Sequence, residues 1–75
     1  MSKPDPREIV ESWTVHFPGG WENNDGPQGW WAVSSDDAGG IVAYFQDEIA
    51  AERFRLSEVN RALEGFGYGI RVRVD

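Results

Sequence analysis

The chain has no cysteine, which excludes disulfides and thiolate metal sites. It has one histidine, His16, which cannot build a usual zinc site without several carboxylates beside it. No apolar run approaches the roughly 20 residues of a membrane-spanning helix. The polar stretch Met1 to Pro6 has no apolar core of the kind a secretory signal needs. A cytoplasmic protein without membrane contact is therefore expected. Basic residues are also scarce. No Lys or Arg stands between Glu8 and Glu52, and the net charge is −6. Such acidity argues against nucleic acid as a partner, because a phosphate backbone calls for a basic footprint.

The charge that is present is lopsided. Residues 1–52 hold ten acids and two bases, giving −8, and residues 53–75 hold three acids and five arginines, giving +2. This pattern suits a solvated acidic surface, an acidic face for a basic partner, or head-to-tail self-pairing.

Seventy-five residues make one domain, 1–75, near the lower limit for a chain that folds alone. Without disulfide or metal, a dense core or self-association must supply stability. Ten aromatic residues, four of them tryptophans, favour the dense core.

Local signals define the elements. In the N-terminal segment 1–11, Asp5-Pro6-Arg7-Glu8 can start a short helical turn, with Asp5 as cap and Pro6 at the first helical position. Alternation from Ser12 to Phe17 has the strand period. Residues 18–28 read as a long loop bounded by Pro18-Gly19-Gly20 and Asn24-Asp25-Gly26-Pro27, with Trp21 inside it. Trp30–Ser34 and Ile41–Phe45 form a hairpin around Ser35-Asp36-Asp37-Ala38-Gly39-Gly40. Asp47 caps a helix from about Glu48 to Glu64, and Gly65 is a natural stop. Its expected core stripe is Ile49, Leu56 and Leu63, widened by Ala50, Phe54 and Val59, with Asp47, Glu48, Arg55 and Glu58 opposite. Ile70 to Val74 alternates cleanly and reads as a last strand. The expected fold class is α+β: a small antiparallel or mixed four-stranded sheet in the order β-β-β-α-β, with one amphipathic helix on one face.

Two features of this pattern bear on function. The central hairpin is apolar at consecutive positions, Trp30-Trp31-Ala32-Val33 and Ile41-Val42-Ala43-Tyr44-Phe45. Such strands are normally covered on both faces, and one helix covers only one. Either Ile9, Val10 and Trp21 fold over the second face, or it docks on another protein or on a second copy in a homodimer. The candidate interface residues are Trp21, Trp30, Trp31, Val42 and Tyr44. Which of Trp30 and Trp31 is buried depends on a register that slips by one residue. The second feature is a polar inset: Arg53, Ser57 and Asn60 project into the helix stripe on a helical wheel. Buried polar groups of this kind bind strand-edge carbonyls, or grip an anionic ligand through Arg53.

No catalytic, cofactor-binding or metal motif stands out. His16 lacks a visible partner, Glu22-Asn23-Asn24-Asp25-Gly26 lacks the spacing of a calcium loop, and Gly65-Phe66-Gly67-Tyr68-Gly69 follows a helix where a dinucleotide loop would precede one. The expectation is a non-enzymatic protein-interaction module: a small acidic regulator, inhibitor or accessory protein without cofactor. Phages and mobile elements encode many proteins of this size and charge, an association that rests on those two properties alone. The competing classes are a small-ligand binder using the Trp21 loop with Arg53 and Asn60, and an acidic mimic of nucleic-acid charge.

Overall fold

The structure, a computed structural model, describes residues 3–16 and 29–74. Phe17, the 18–28 loop and its Trp21 lie outside the described residues. The layout is α+β, in the order α1 (Pro6–Glu11), β1 (Trp13–His16), β2 (Trp31–Ser35), β3 (Gly40–Phe45) and α2 (Glu48–Gly65).

Helix α1 begins as its capping residues predict. The Asp5 carboxylate accepts from the Arg7 backbone N–H at 2.8 Å, and Pro6 opens the helix. Strands β1, β2 and β3 form an antiparallel meander in that order. The hairpin strands sit within one residue of their expected bounds. Its turn closes through a Gly39 N–H to Asp36 carbonyl bond of 3.2 Å, and Gly39 takes a φ of 79° that favours glycine. A bulge between Val33 and Ser34 leaves Val42 without an opposite residue, since Val33 faces Ala43 and Ser34 faces Ile41.

Register sorts the side chains. Directly opposite residues share a face. Trp13 pairs with Ser35, Val15 with Val33, Val33 with Ala43, and Trp31 with Phe45. This is the face that α2 covers: the Phe54 ring lies 5.2 Å from Phe45 and 6.5 Å, edge-on, from Trp13. Trp31 is thus on the helix side. Thr14, His16, Ala32, Ser34 and Tyr44 lie on the other face. Ile9 and Val10 do not fold over that second face. Ile9 packs with Val59 and Leu63 of α2, joined at the margin by Val10, Trp13, Tyr68 and Val72.

Three expectations need correction. The buried face of α2 runs through Ala51, Val59, Asn60 and Leu63. Ile49 is 60% exposed, whereas Arg55, expected on the solvent side, has a side chain only 19% exposed and pairs with Glu52 at 3.1 Å. The helix is rotated so that a four-residue spacing, from Ala51 through Arg55 and Val59 to Leu63, meets the core. Small Ala51 lets the helix approach, and the Arg55 stem packs while its guanidinium finds a carboxylate.

The helix also takes in Gly65 as its last residue, and the glycine that stops it is Gly67, not Gly65. Gly67 has a φ of 84°, its N–H reaches the Glu64 carbonyl at 3.0 Å, and the Tyr68 N–H reaches the Leu63 carbonyl at 3.0 Å. These two bonds make a Schellman motif, closed by Tyr68 packing on the core cluster that holds Leu63.

Finally, the expected fourth strand is not part of the sheet. Residues 70–74 carry no regular structure among the described residues. The Asn60 side chain replaces a neighbouring strand: its Nδ2 donates to the Val72 carbonyl at 2.9 Å, and the Val72 N–H donates to its Oδ1 at 2.7 Å. Val72 joins the core margin, while Ile70 and Val74 are 53% and 40% exposed. The alternation that reads as a strand here serves a segment laid along a helix.

Candidate functional site

The six residues of β3, Gly-Ile-Val-Ala-Tyr-Phe, contain no charge and no proline. Among the described residues β3 is an edge of the sheet, so one row of its backbone N–H and C=O groups faces away from β2. Proteins usually protect such an edge with charge, proline or a bulge. Here the bulge at Val42 is the protection, and it turns the strand without covering it. Exposure alternates along β3: Val42 and Tyr44 are exposed, and Ile41, Ala43 and Phe45 are half-buried. The consecutive apolar run that suggested burial on both faces is therefore, in β3, an alternating strand with apolar residues on both sides.

Charge brackets this edge. Asp36 and Asp37 stand exposed in the turn before β3, and Asp47 and Glu48 stand exposed just after it. Asp47 is committed to capping α2, accepting from the Ala50 N–H at 3.3 Å. The result is an uncharged strand with two acids at each end and no Lys or Arg among residues 9–52.

The expected interface residues do not all converge. Val42 and Tyr44 lie on this strand. Trp31 opposes Phe45 on the helix side, half-buried, and Trp30 just precedes β2, also half-buried. Trp21 lies outside the described residues. The polar inset separates as well. Asn60 is buried, with its amide taken up by Val72, whereas Arg53 and Ser57 are exposed. Ser57 and Asn60 share a shallow groove with Arg61, Glu64, Arg71 and Val74, which Arg53 does not line.

Compared with protein-family models, curated proteins and solved structures, the chain matches none.

Two features escaped the sequence reading. His16 Nε2 lies 2.7 Å from Ser34 Oγ, because the register sets these residues diagonally on the face away from α2. A serine and a histidine in contact invite a catalytic reading, but that chemistry needs a third group to orient the imidazole and donors for an oxyanion. Among the described residues no group of three or more His, Cys, Asp or Glu side chains could hold a metal ion. The second is Ser35, 2% exposed, whose hydroxyl has no hydrogen-bond partner among the described residues. Serine in a strand next to a turn gives no warning of burial.

Proposed function

We propose that this chain is a non-enzymatic protein-interaction module, a small acidic regulator, inhibitor or accessory protein that receives its partner on the β3 edge. The observation that carries this reading is an uncharged six-residue edge strand with Val42 and Tyr44 exposed. A partner strand added there completes backbone hydrogen bonds, and alternate side chains supply selectivity. Tyr44 provides an amphipathic anchor of the kind interfaces favour. The acids at both ends favour partners with basic residues flanking the docked segment and speed encounter with them. The small-ligand alternative has less support, because the Asn60 amide is already engaged and Arg53 does not share its groove.

Amide hydrogen exchange with candidate partners tests the reading. Protection localised to residues 40–45 in a complex, lost in Val42→Lys and Tyr44→Ala variants that still fold, is the expected result. Partners that bind without protecting 40–45, or that bind both variants unchanged, would overturn it.

A further inference from the structure

Two grooves that share no lining residue carry opposite charge. Glu8, Asp36 and Asp37 line one of them, and no Lys or Arg does. Asp36 and Asp37 stand exposed on the β2–β3 turn, and among the described residues their carboxylates have no ion pair. The other groove is the shallow one between α2 and the C-terminal segment, where Arg61 and Arg71 face a single acid, Glu64. Among the described residues the Arg71 guanidinium has no ion pair. Arg61 reaches Glu58 only at 3.8 Å, and its side chain is 83% exposed.

Both halves of a complementary contact therefore stand on one chain. Each copy carries −6, so two copies repel at a distance, and only a contact that sets unlike charges together can hold them. Turn against turn, or groove against groove, adds like-charge repulsion; turn against groove removes it. Shape agrees, since residues 36–40 are all exposed and can enter a shallow groove. Apolar surface lies beside the arginines. Val74 lines the same groove and is 40% exposed, and Ile70 lines an adjoining hollow that shares Asn60, Glu64 and Arg71 and is 53% exposed. Covering them supplies burial that a chain of this size without disulfides gains from.

We infer that the Asp36-Asp37 turn of one copy docks in the Arg61/Arg71 groove of a second, so that the chain self-associates head to tail. The guanidiniums donate to the turn's carboxylates, a charge-assisted contact. The turn flanks β3, but the contact uses no residue of the β3 edge itself, so it goes beyond the interaction reading above and can fail without it. Because donor and acceptor are different surfaces, the contact is heterologous. Two reciprocal contacts close a dimer, and unclosed ones extend into longer assemblies.

The test is a charge exchange, read as the solution mass of the full chain by sedimentation over a range of concentrations. Salt alone does not decide, because it screens the attraction and the repulsion between −6 chains together. The parent chain is expected to self-associate. Arg61→Glu with Arg71→Glu reverses the groove, and Asp36→Lys with Asp37→Lys reverses the turn. Each doubly substituted chain alone is expected to stay folded, shown by its melting curve, and to associate at least about tenfold more weakly, since ion pairs become like-charge contacts. Mixed together they are expected to form a one-to-one pair, because each reversed surface then meets a complementary one. Val42→Lys is expected to leave the association unchanged. Should a reversal unfold the chain, the neutral Arg71→Gln and Asp37→Asn are expected to give a smaller loss in the same direction, and no loss in either overturns the inference. A parent chain that stays monomeric throughout overturns it, as does association that an exchange leaves intact or that mixing does not restore. Association lost in Val42→Lys also overturns it and moves the contact to β3. The β3 reading itself is decided separately, by protection of residues 40–45 with other proteins.

Discussion

Removing the Asn60 amide is the sharpest probe of how the C-terminal segment is held. Asn60 is 6% exposed and makes two hydrogen bonds, of 2.9 and 2.7 Å, to the backbone of Val72. A neutral hydrogen bond contributes about 0.5–1.5 kcal/mol net. In Asn60→Ala both are lost, but Val72 is half-buried, so water recovers part of the deficit at its N–H and C=O. The expected loss is about 1–3 kcal/mol, against a total of roughly 4–11 kcal/mol for a domain of this length. Each kcal/mol lowers Tm by roughly 4–8 °C at this size. Asn60→Asp keeps the shape and the acceptor but sets a carboxylate against the Val72 carbonyl, and is expected to cost at least as much. Urea titration gives the magnitude, and hydrogen exchange at the Val72 amide gives the location: slow in the parent chain, fast in Asn60→Ala. A loss below about 0.5 kcal/mol with unchanged exchange at Val72 would refute the idea that this side chain stands in for a strand.

Ser35→Ala is expected to stabilise the chain by up to about 1 kcal/mol in the same titration, because it deletes a buried hydroxyl without a partner among the described residues; clear destabilisation would mean the hydroxyl is satisfied. Gly67→Ala is expected to cost about 1–2 kcal/mol through its φ of 84°, although an added Cβ has room, the nearest atom being Lys3 Nζ at 3.8 Å. Gly65→Ala, inside α2 with open space around it, is expected to gain roughly 0.5–1 kcal/mol; equal effects at the two glycines would sink the assignment of Gly67 as the stop. Phe54→Ala is expected to cost about 2–4 kcal/mol, since that ring bridges Trp13 and Phe45, and a thermal melt followed by tryptophan fluorescence would register a smaller loss if the bridge is absent.

Local chemistry made several elements legible in the sequence. Asp5 and Asp47 cap the two helices they were expected to cap, and the Asp-Asp-Ala-Gly turn sets the hairpin register. Features decided by tertiary contact were less accessible. Ile49, Leu56 and Leu63, seven apart, define a stripe as plausible as the four-spaced Ala51, Arg55, Val59 and Leu63. The latter wins because alanine is a weak hydrophobic marker and an arginine can lie at a core margin when a carboxylate receives it. Two glycines two residues apart offer two helix ends, and only the Tyr68 contact decides between them. Ile70 to Val74 alternates whether its neighbour is a strand or the amide of Asn60. Of the candidate site, Val42 and Tyr44 were visible as surplus apolar residues. The edge that makes them available depends on the strand order.

One small contact bears on the order in which the molecule can be completed. The Lys3 ammonium donates to the Phe66 carbonyl at 2.9 Å and lies 4.7 Å from the centre of the Tyr68 ring, and the Tyr68 hydroxyl donates to the Pro4 carbonyl. Tyr68 follows Pro4 by 64 residues, so at ribosomal speeds of 5–20 residues per second the N-terminal anchor is made roughly 3–13 s before its partner exists. Until then α1 lacks the Leu63 and Val59 surface on which Ile9 rests, so the N-terminal helix is among the last elements to gain its packing.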